Sequence, residues 1–180
     1  MKNKYKGFTL TEILLVLVIA AAIVISAFII YPKVQSSQKV TAEINNISAL
    51  TTGIRHLYAT QTSYSNISAT VVLNAGIVPD NMLPTNPGLK GHMYNSWNGE
   101  VLVWSATKPG LKDGSLFYIM YNGVPKKECI DLLTRISGND TYFFIIVNGT
   151  TLVGPNNQFS VEKTIELCNL DKNVIKFDAD

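Results

Sequence analysis

Between Ile13 and Tyr31 the chain carries no charged residue, and this run constrains the fold more than any other feature. It is long enough to cross a bilayer as a helix. Lys2, Lys4 and Lys6 precede it, so the positive-inside rule keeps that basic head in the cytoplasm and sends the rest outward. Two ordinary readings fit the hydropathy. One is a secretory signal peptide with Ala20 and Ala22 as a small-residue cleavage pattern; the other is a plain single-span anchor. Neither accounts for Glu12. An acidic residue costs about 2.5–3.5 kcal/mol at the centre of an inserted helix and somewhat less near an end, so its presence marks a functional position.

Gly7, Phe8, Thr9, Leu10, Thr11 and Glu12, followed by the apolar run, resemble the type IV prepilin cleavage site. The resemblance implies that a membrane peptidase cuts between Gly7 and Phe8 and methylates the new N-terminus. Gly7 suits such a cut, because a residue without a side chain lets the peptidase approach the backbone. Most of the apolar helix lies beyond the cut, so the product stays anchored, whereas a secretory signal would be discarded. Glu12 lies four residues after Phe8, one helical turn along the same face. A buried carboxylate is tolerable when paired and strongly unfavourable alone. In the resemblance, Glu12 of an incoming subunit meets the Phe8 ammonium of a neighbour; neutralisation within one chain is the alternative. The short leader and Phe8 are more like type IVa prepilins.

The helical pattern continues past the apolar run. Val40, Ile44, Ile47, Leu50 or Thr51, Ile54 and Leu57 recur at spacings of three and four, an amphipathic stripe, and Gln38, Lys39, Glu43, Asn45 and Arg55 are assigned to the opposite face. A helix over residues 10–60 would be about 75 Å long. Pro32 lacks an N–H and should kink or open it, as a helix-breaking proline does in related pilins. Gly53 is a second soft point, costing about 1 kcal/mol against Ala. The predicted organisation is a leader (1–7), a transmembrane and assembly helix (8–32), the amphipathic half of that helix (33–60) and a globular head (61–180).

In the head, residues 61–99 read as a long irregular connection with a short helix near Ala69–Ala75. Strand-like runs follow at Glu100–Ser105, Ser115–Tyr121, Thr141–Val147 and Val174–Phe177, with Gln158–Val161 a weaker fifth. Asn122-Gly123 and Asn148-Gly149 read as turns. Pro125–Ile136 reads as a helix with Pro125 near its start. Strands that follow a long helix, rather than alternate with helices, predict an α+β roll with a four- to five-stranded, mostly antiparallel sheet. The two cysteines, Cys129 and Cys168, suggest a disulfide in an exported chain, with two unrelated buried thiols as the alternative. A bridge would close a loop of about 39 residues, worth roughly 3–4 kcal/mol less any strain.

The body extends the resemblance. Ile47 through Leu57, then Thr62–Ser65, then Ala75–Met82, look like the N-terminal domain of type IVb major pilins. Asn95, Trp97, Asn98, Gly99, Glu100 and Val101 are similar to the segment that opens their sheet. Cys129, Cys168 and a closing Val174–Phe177 strand resemble their disulfide-bounded region.

Composition narrows the function classes. A formal net charge of +2 without a long run of one sign does not fit a nucleic-acid binder, which would carry a basic stripe. His56 reads as a packed or partly exposed ring on the amphipathic helix, and His92 sits in a Gly-flanked loop without a cysteine or carboxylate cluster. Neither gives a metal-binding spacing, and no Gly-rich phosphate loop follows a strand. Asp171, Asp178 and Asp180 lack the density of a calcium loop. Asn46, Asn66, Asn139 and Asn148 begin short glycosylation-type patterns that arise by chance. No catalytic residue, metal or cofactor is expected.

The resemblance implies a structural subunit of a type IV pilus, held in the inner membrane with its head outside the cytoplasm and then built into an extracellular helical filament. Its implied partners are copies of itself, a prepilin peptidase and N-methyltransferase, an inner-membrane assembly platform and, through adhesion in colonisation, a host-cell receptor. The alternatives are a minor pilin or type II secretion pseudopilin, and a monomeric membrane-anchored binding module.

Overall fold

The computed structural model of the chain describes residues 9–137 and 141–180. Gly7 and Phe8, the predicted cleavage and methylation positions, lie outside the described residues, as does Asn139. The chain forms two compact units, the first ending at Gln38 and the second spanning Lys39–Asp180. Helix α1 (Leu10–Leu57) contributes to both.

In the first unit α1 is apolar on all sides. Leu14, Val18, Ile25, Phe28 and Tyr31 are all exposed, and the segment is long and apolar enough to cross a membrane. An uncovered greasy helix in water is a large unfavourable surface, so it requires lipid or protein around it. The helix is unbroken through Pro32, which has no N–H to offer the carbonyl four residues earlier.

In the second unit the remaining turns of α1 bury one stripe, Val40, Ile47, Leu50 and Ile54, within a single core. The sheet contributes the rest of that core. Its strands are β1 (Met93–Tyr94), β2 (Glu100–Ala106), β3 (Leu116–Val124), β4 (Phe144–Val147), β5 (Thr150–Val153) and β6 (Asn173–Ala179), ordered β1-β2-β3-β6-β4-β5. Every pairing is antiparallel. Registers place Val103 beside Ile119, Ile119 beside Phe177, and Phe177 beside Ile145. The row Val101, Tyr121, Ile175 and Val147 runs parallel to it. Side chains alternate across a strand, so these two rows share one face, and every residue in them is buried. Strand β6 enters last in sequence but lies between β3 and β4.

The α+β class and the antiparallel sheet agree with the sequence reading, but the sheet has six strands rather than four or five. Strands β1 and β5 are the additions; at two and four residues they are too short to show an alternating pattern. Gln158–Val161 is not a strand. Instead Ser160 caps helix α4 (Val161–Leu167), its hydroxyl accepting from Lys163 N at 3.3 Å. Asn148-Gly149 is the β4–β5 turn, with φ of 49° and 83°, the left-handed pair that a two-residue hairpin needs. Asn122-Gly123 is not a turn. It lies within β3, where the register with β6 shifts between Tyr121 and Val124, and Gly123 takes φ 70°, as at a β-bulge.

The 61–99 connection is pinned rather than loose. It contains helix α2 (Ala69–Asn74), capped by Ser68, and short 3-10 turns at Asp80–Met82 and Pro87–Leu89. Ile67, Val72, Met82 and Met93 along it are buried in the core. Helix α3 (Lys126–Ile136) follows β3 and buries Cys129, Leu132, Leu133 and Ile136. Cys129 and Cys168 form a disulfide with Cα atoms 5.9 Å apart and a sequence separation of 39. The closed loop holds β4, β5 and α4.

Candidate assembly site

Glu12 stands in the first turn of α1, and the structure gives it a local partner that the sequence reading missed. Thr9 N donates to Glu12 Oε2 at 2.8 Å and Thr9 Oγ1 donates to the same oxygen at 3.0 Å. In return Glu12 N donates to Thr9 Oγ1 at 3.3 Å. This is a capping box, in which the helix's first orphan N–H groups are satisfied reciprocally. The signal was present as Thr9-x-x-Glu12 ahead of an apolar run. Both residues are exposed, so the carboxylate is held at the helix start yet remains open to a second charged group. The acid also favours the positive end of the helix dipole.

A second carboxylate behaves unlike its sequence reading. Glu43, assigned above to the polar face of α1, is 1% exposed. It lies three residues after Val40 and four before Ile47, hence within the buried stripe. Its Oε1 accepts from Ser96 N at 2.8 Å and from the Ser96 hydroxyl, and its Oε2 accepts from Asn46 Nδ2 at 3.2 Å. No cation pairs with it among the described residues. Burial pushes the Tyr121 hydroxyl well above the usual phenol range, and the nearby Glu43 charge pushes it further. Buried charge without a counter-ion requires hydrogen bonds, and here they tie α1 to the segment before β2.

Arg55, in the last turn of α1, donates through Nη2 to Thr141 O at 3.0 Å and through Nε to Asp180 O. Asp178 is buried, which raises its pKa; Lys176, with Nζ 3.1 Å from Asp178 Oδ1, opposes that shift. Asp178 and Asp180 thus face different cations. His56 is exposed. His92 has a single carboxylate beside it, with Nδ1 2.6 Å from Glu100 Oε1. Asn148 spends its amide on Leu167 O and Asn173 Oδ1.

A long apolar helix with a capped acid at its start, an antiparallel head and a C-terminal disulfide loop together define a filament-subunit architecture. The comparisons agree. The family model described as PilS N terminal matches residues 37–179, and that of the prokaryotic N-terminal methylation motif matches residues 2–28. The chain belongs to the type IV pilin family. The major structural subunit of bundle-forming pilus from Escherichia coli O127:H6 is 29% identical over 158 residues, covering 87% of this chain and 77% of the relative. Its counterpart from Escherichia coli O111:H- is 30% identical over 135 residues, covering 74% and 67%. These relatives are structural subunits rather than enzymes. Among solved structures, a type IVb pilin from Salmonella typhi matches with a TM-score of 0.62 at 21% identity, covering 78% of this chain and 99% of that one. TcpA, a type IV pilin from Vibrio cholerae El Tor biotype, matches at 0.59 with 14% identity, covering 79% and 99%. Both structures share the fold.

Proposed function

We propose that this chain is the structural subunit of a type IV pilus, with residues 1–7 removed as a leader, Phe8 N-methylated, and residues 8–32 serving first as a membrane span and then as the filament's core. Before assembly the basic head faces the cytoplasm and the globular part faces outward. A prepilin peptidase and an inner-membrane platform are its processing and assembly partners. The relatives' role as major subunits supports an abundant subunit over a minor one.

The observation that carries this reading is the exposed, capped Glu12 directly ahead of the uncharged Ile13–Tyr31 run of α1. The acid is costly in lipid unless matched. Cleavage after Gly7 creates a cation one helical turn away, and in a filament the Phe8 ammonium of a neighbour supplies the match. Repeated head-to-tail contacts that do not close a ring give a helical filament. Lipid is already an apolar home for residues 8–32, so moving them into a filament has little net hydrophobic drive. Extraction therefore needs an energy source at the platform. Pro32 gives the helix a point of adjustment between its membrane and head portions. The head then forms the outer surface, where contact with a host-cell receptor serves colonisation.

The test is Glu12→Ala expressed as the sole pilin gene. The expected result is normal cleavage, normal membrane abundance and no fibres in the sheared fraction. Fibres at the level of the unaltered chain would overturn the proposal.

A further inference from the structure

The sheet has a second face. Leu102 pairs with Met120, Met120 with Lys176 and Lys176 with Ile146. Beside this row run Trp104, Tyr118, Asp178 and Phe144. These residues alternate with the buried ones along each strand, so they point away from the core that α1 and α3 share with the sheet. The solvent side of an antiparallel sheet is ordinarily polar. Here Leu102, Trp104, Tyr118, Met120, Phe144 and Ile146 are apolar or aromatic, and none of them is buried.

The sulfur atoms of the chain are unevenly placed. Four methionines and two cysteines supply all of them. The cysteines are joined to each other and buried. Met82 and Met93 are each 0% exposed, inside the core. Met1 precedes the described residues. Among the described methionines only Met120 lies on the outer face and is partly exposed. Its cross-strand neighbour Lys176 directs its ammonium elsewhere. Lys176 Nζ lies 3.1 Å from Asp178 Oδ1 and 4.6 Å from the Tyr118 ring centroid, both in the adjacent row.

We propose that Met120 is a peroxide-oxidisable site that changes the polarity of the outer sheet face while the core stays intact. The thioether lone pair attacks one peroxide oxygen, so an S–O bond forms and the O–O bond breaks. The hydroxide that leaves takes the proton from the new S–OH group and departs as water. Sulfur loses two electrons and the peroxide gains them. The product, methionine sulfoxide, is a polar acceptor in the middle of the Leu102–Ile146 row, and sulfoxide reductases return it to the thioether. Met82 and Met93 meet peroxide only when the core opens, which costs free energy. The site rests on the fold of the head and is independent of the assembly chemistry at Glu12.

The experiment treats the full-length chain, in a peroxide-free detergent, with hydrogen peroxide and follows each methionine-containing peptide by mass spectrometry. Met120 is expected to gain one oxygen at least about tenfold faster than Met82 or Met93, because those two wait for the core to open. In guanidinium chloride the three should react at similar rates. The Met120→Leu variant keeps the apolar character and the approximate volume of the position, and it should form no methionine sulfoxide within residues 39–180 over the same time. Near-UV circular dichroism of the oxidised chain should match that of the untreated one. Equal rates for the three methionines in the folded chain, earlier oxidation of Met82 or Met93, a rate difference that persists in guanidinium chloride, or loss of the near-UV signal on oxidation of Met120 would each overturn the proposal.

Discussion

Thr9 and Glu12 cap the start of α1 reciprocally, with the threonine N–H and hydroxyl both on Glu12 Oε2 and the Glu12 N–H on the threonine hydroxyl. Two roles therefore converge on one carboxylate. As a cap it needs only acceptor oxygens, which glutamine also provides. As the partner of a neighbour's ammonium it needs charge.

The two roles separate by substitution. Glu12→Gln retains an N3 acceptor and loses the charge, whereas Glu12→Ala loses both. If charge drives assembly, both variants accumulate as cleaved membrane protein without fibres. Thr9→Ala weakens the cap by about 1 kcal/mol but keeps the charge, so it assembles at reduced yield. Immunoblots of membrane and sheared fractions check all three; fibres from Glu12→Gln at normal yield would assign the residue to capping alone.

Glu43 predicts a stability effect in the head. Glu43→Ala leaves Ser96 N without its acceptor and opens space in the core. An unsatisfied buried donor costs about 1–3 kcal/mol, and the cavity adds to that. Thermal unfolding followed by near-UV circular dichroism should show a clearly lower midpoint for Glu43→Ala than for Asn45→Ala, an exposed position nearby on the same helix.

The disulfide makes a third prediction. Replacing both Cys129 and Cys168 by serine frees the 39-residue separation that the bridge spans, and the loss should be roughly 3–4 kcal/mol. Protease digestion should cut first between these two positions, since β4, β5 and α4 all lie there. Unchanged resistance in the double variant would contradict this.

Asp178 gives the pH dependence. Its folded pKa is raised above 3.8 because burial outweighs the attraction of Lys176. Between 3.8 and the raised value the folded chain binds more protons than the unfolded one, so this group's contribution to stability falls as pH rises through that window. Asp178→Asn removes the dependence. At neutral pH it should unfold at a higher temperature than the unaltered chain, with the difference shrinking as pH drops toward 4. A variant less stable at neutral pH would show that the Lys176 pair outweighs the burial cost.

Much of this was legible in the sequence. The apolar run, the glycine before Phe8 and the misplaced acid at Glu12 needed no structure, because membrane insertion penalises such an acid enough to make it conspicuous. Strands β2, β3, β4 and β6 follow from their strand-like runs and helix α3 from its pattern after Pro125. What was missed has physical reasons. The charge of Glu43 assigns it to the polar face, whereas its spacing puts it in the Val40–Ile47–Leu50 stripe. Strand β5 is four residues with its pattern spread over two threonines, although the Asn148-Gly149 turn before it is plain in the sequence. Gly123 looks like the Gly of Asn148-Gly149 in sequence. What separates them is pairing: β6 continues alongside β3 beyond Asn122-Gly123, and no local pattern encodes that.

The intact mass and N-terminal sequence of the protein in the sheared cell-surface fraction decide whether the chain is processed and built into filaments. The expected chain begins at N-methylated Phe8 with Cys129 and Cys168 oxidised. A chain beginning at Ile23, or one retaining Met1 through Gly7, would contradict it.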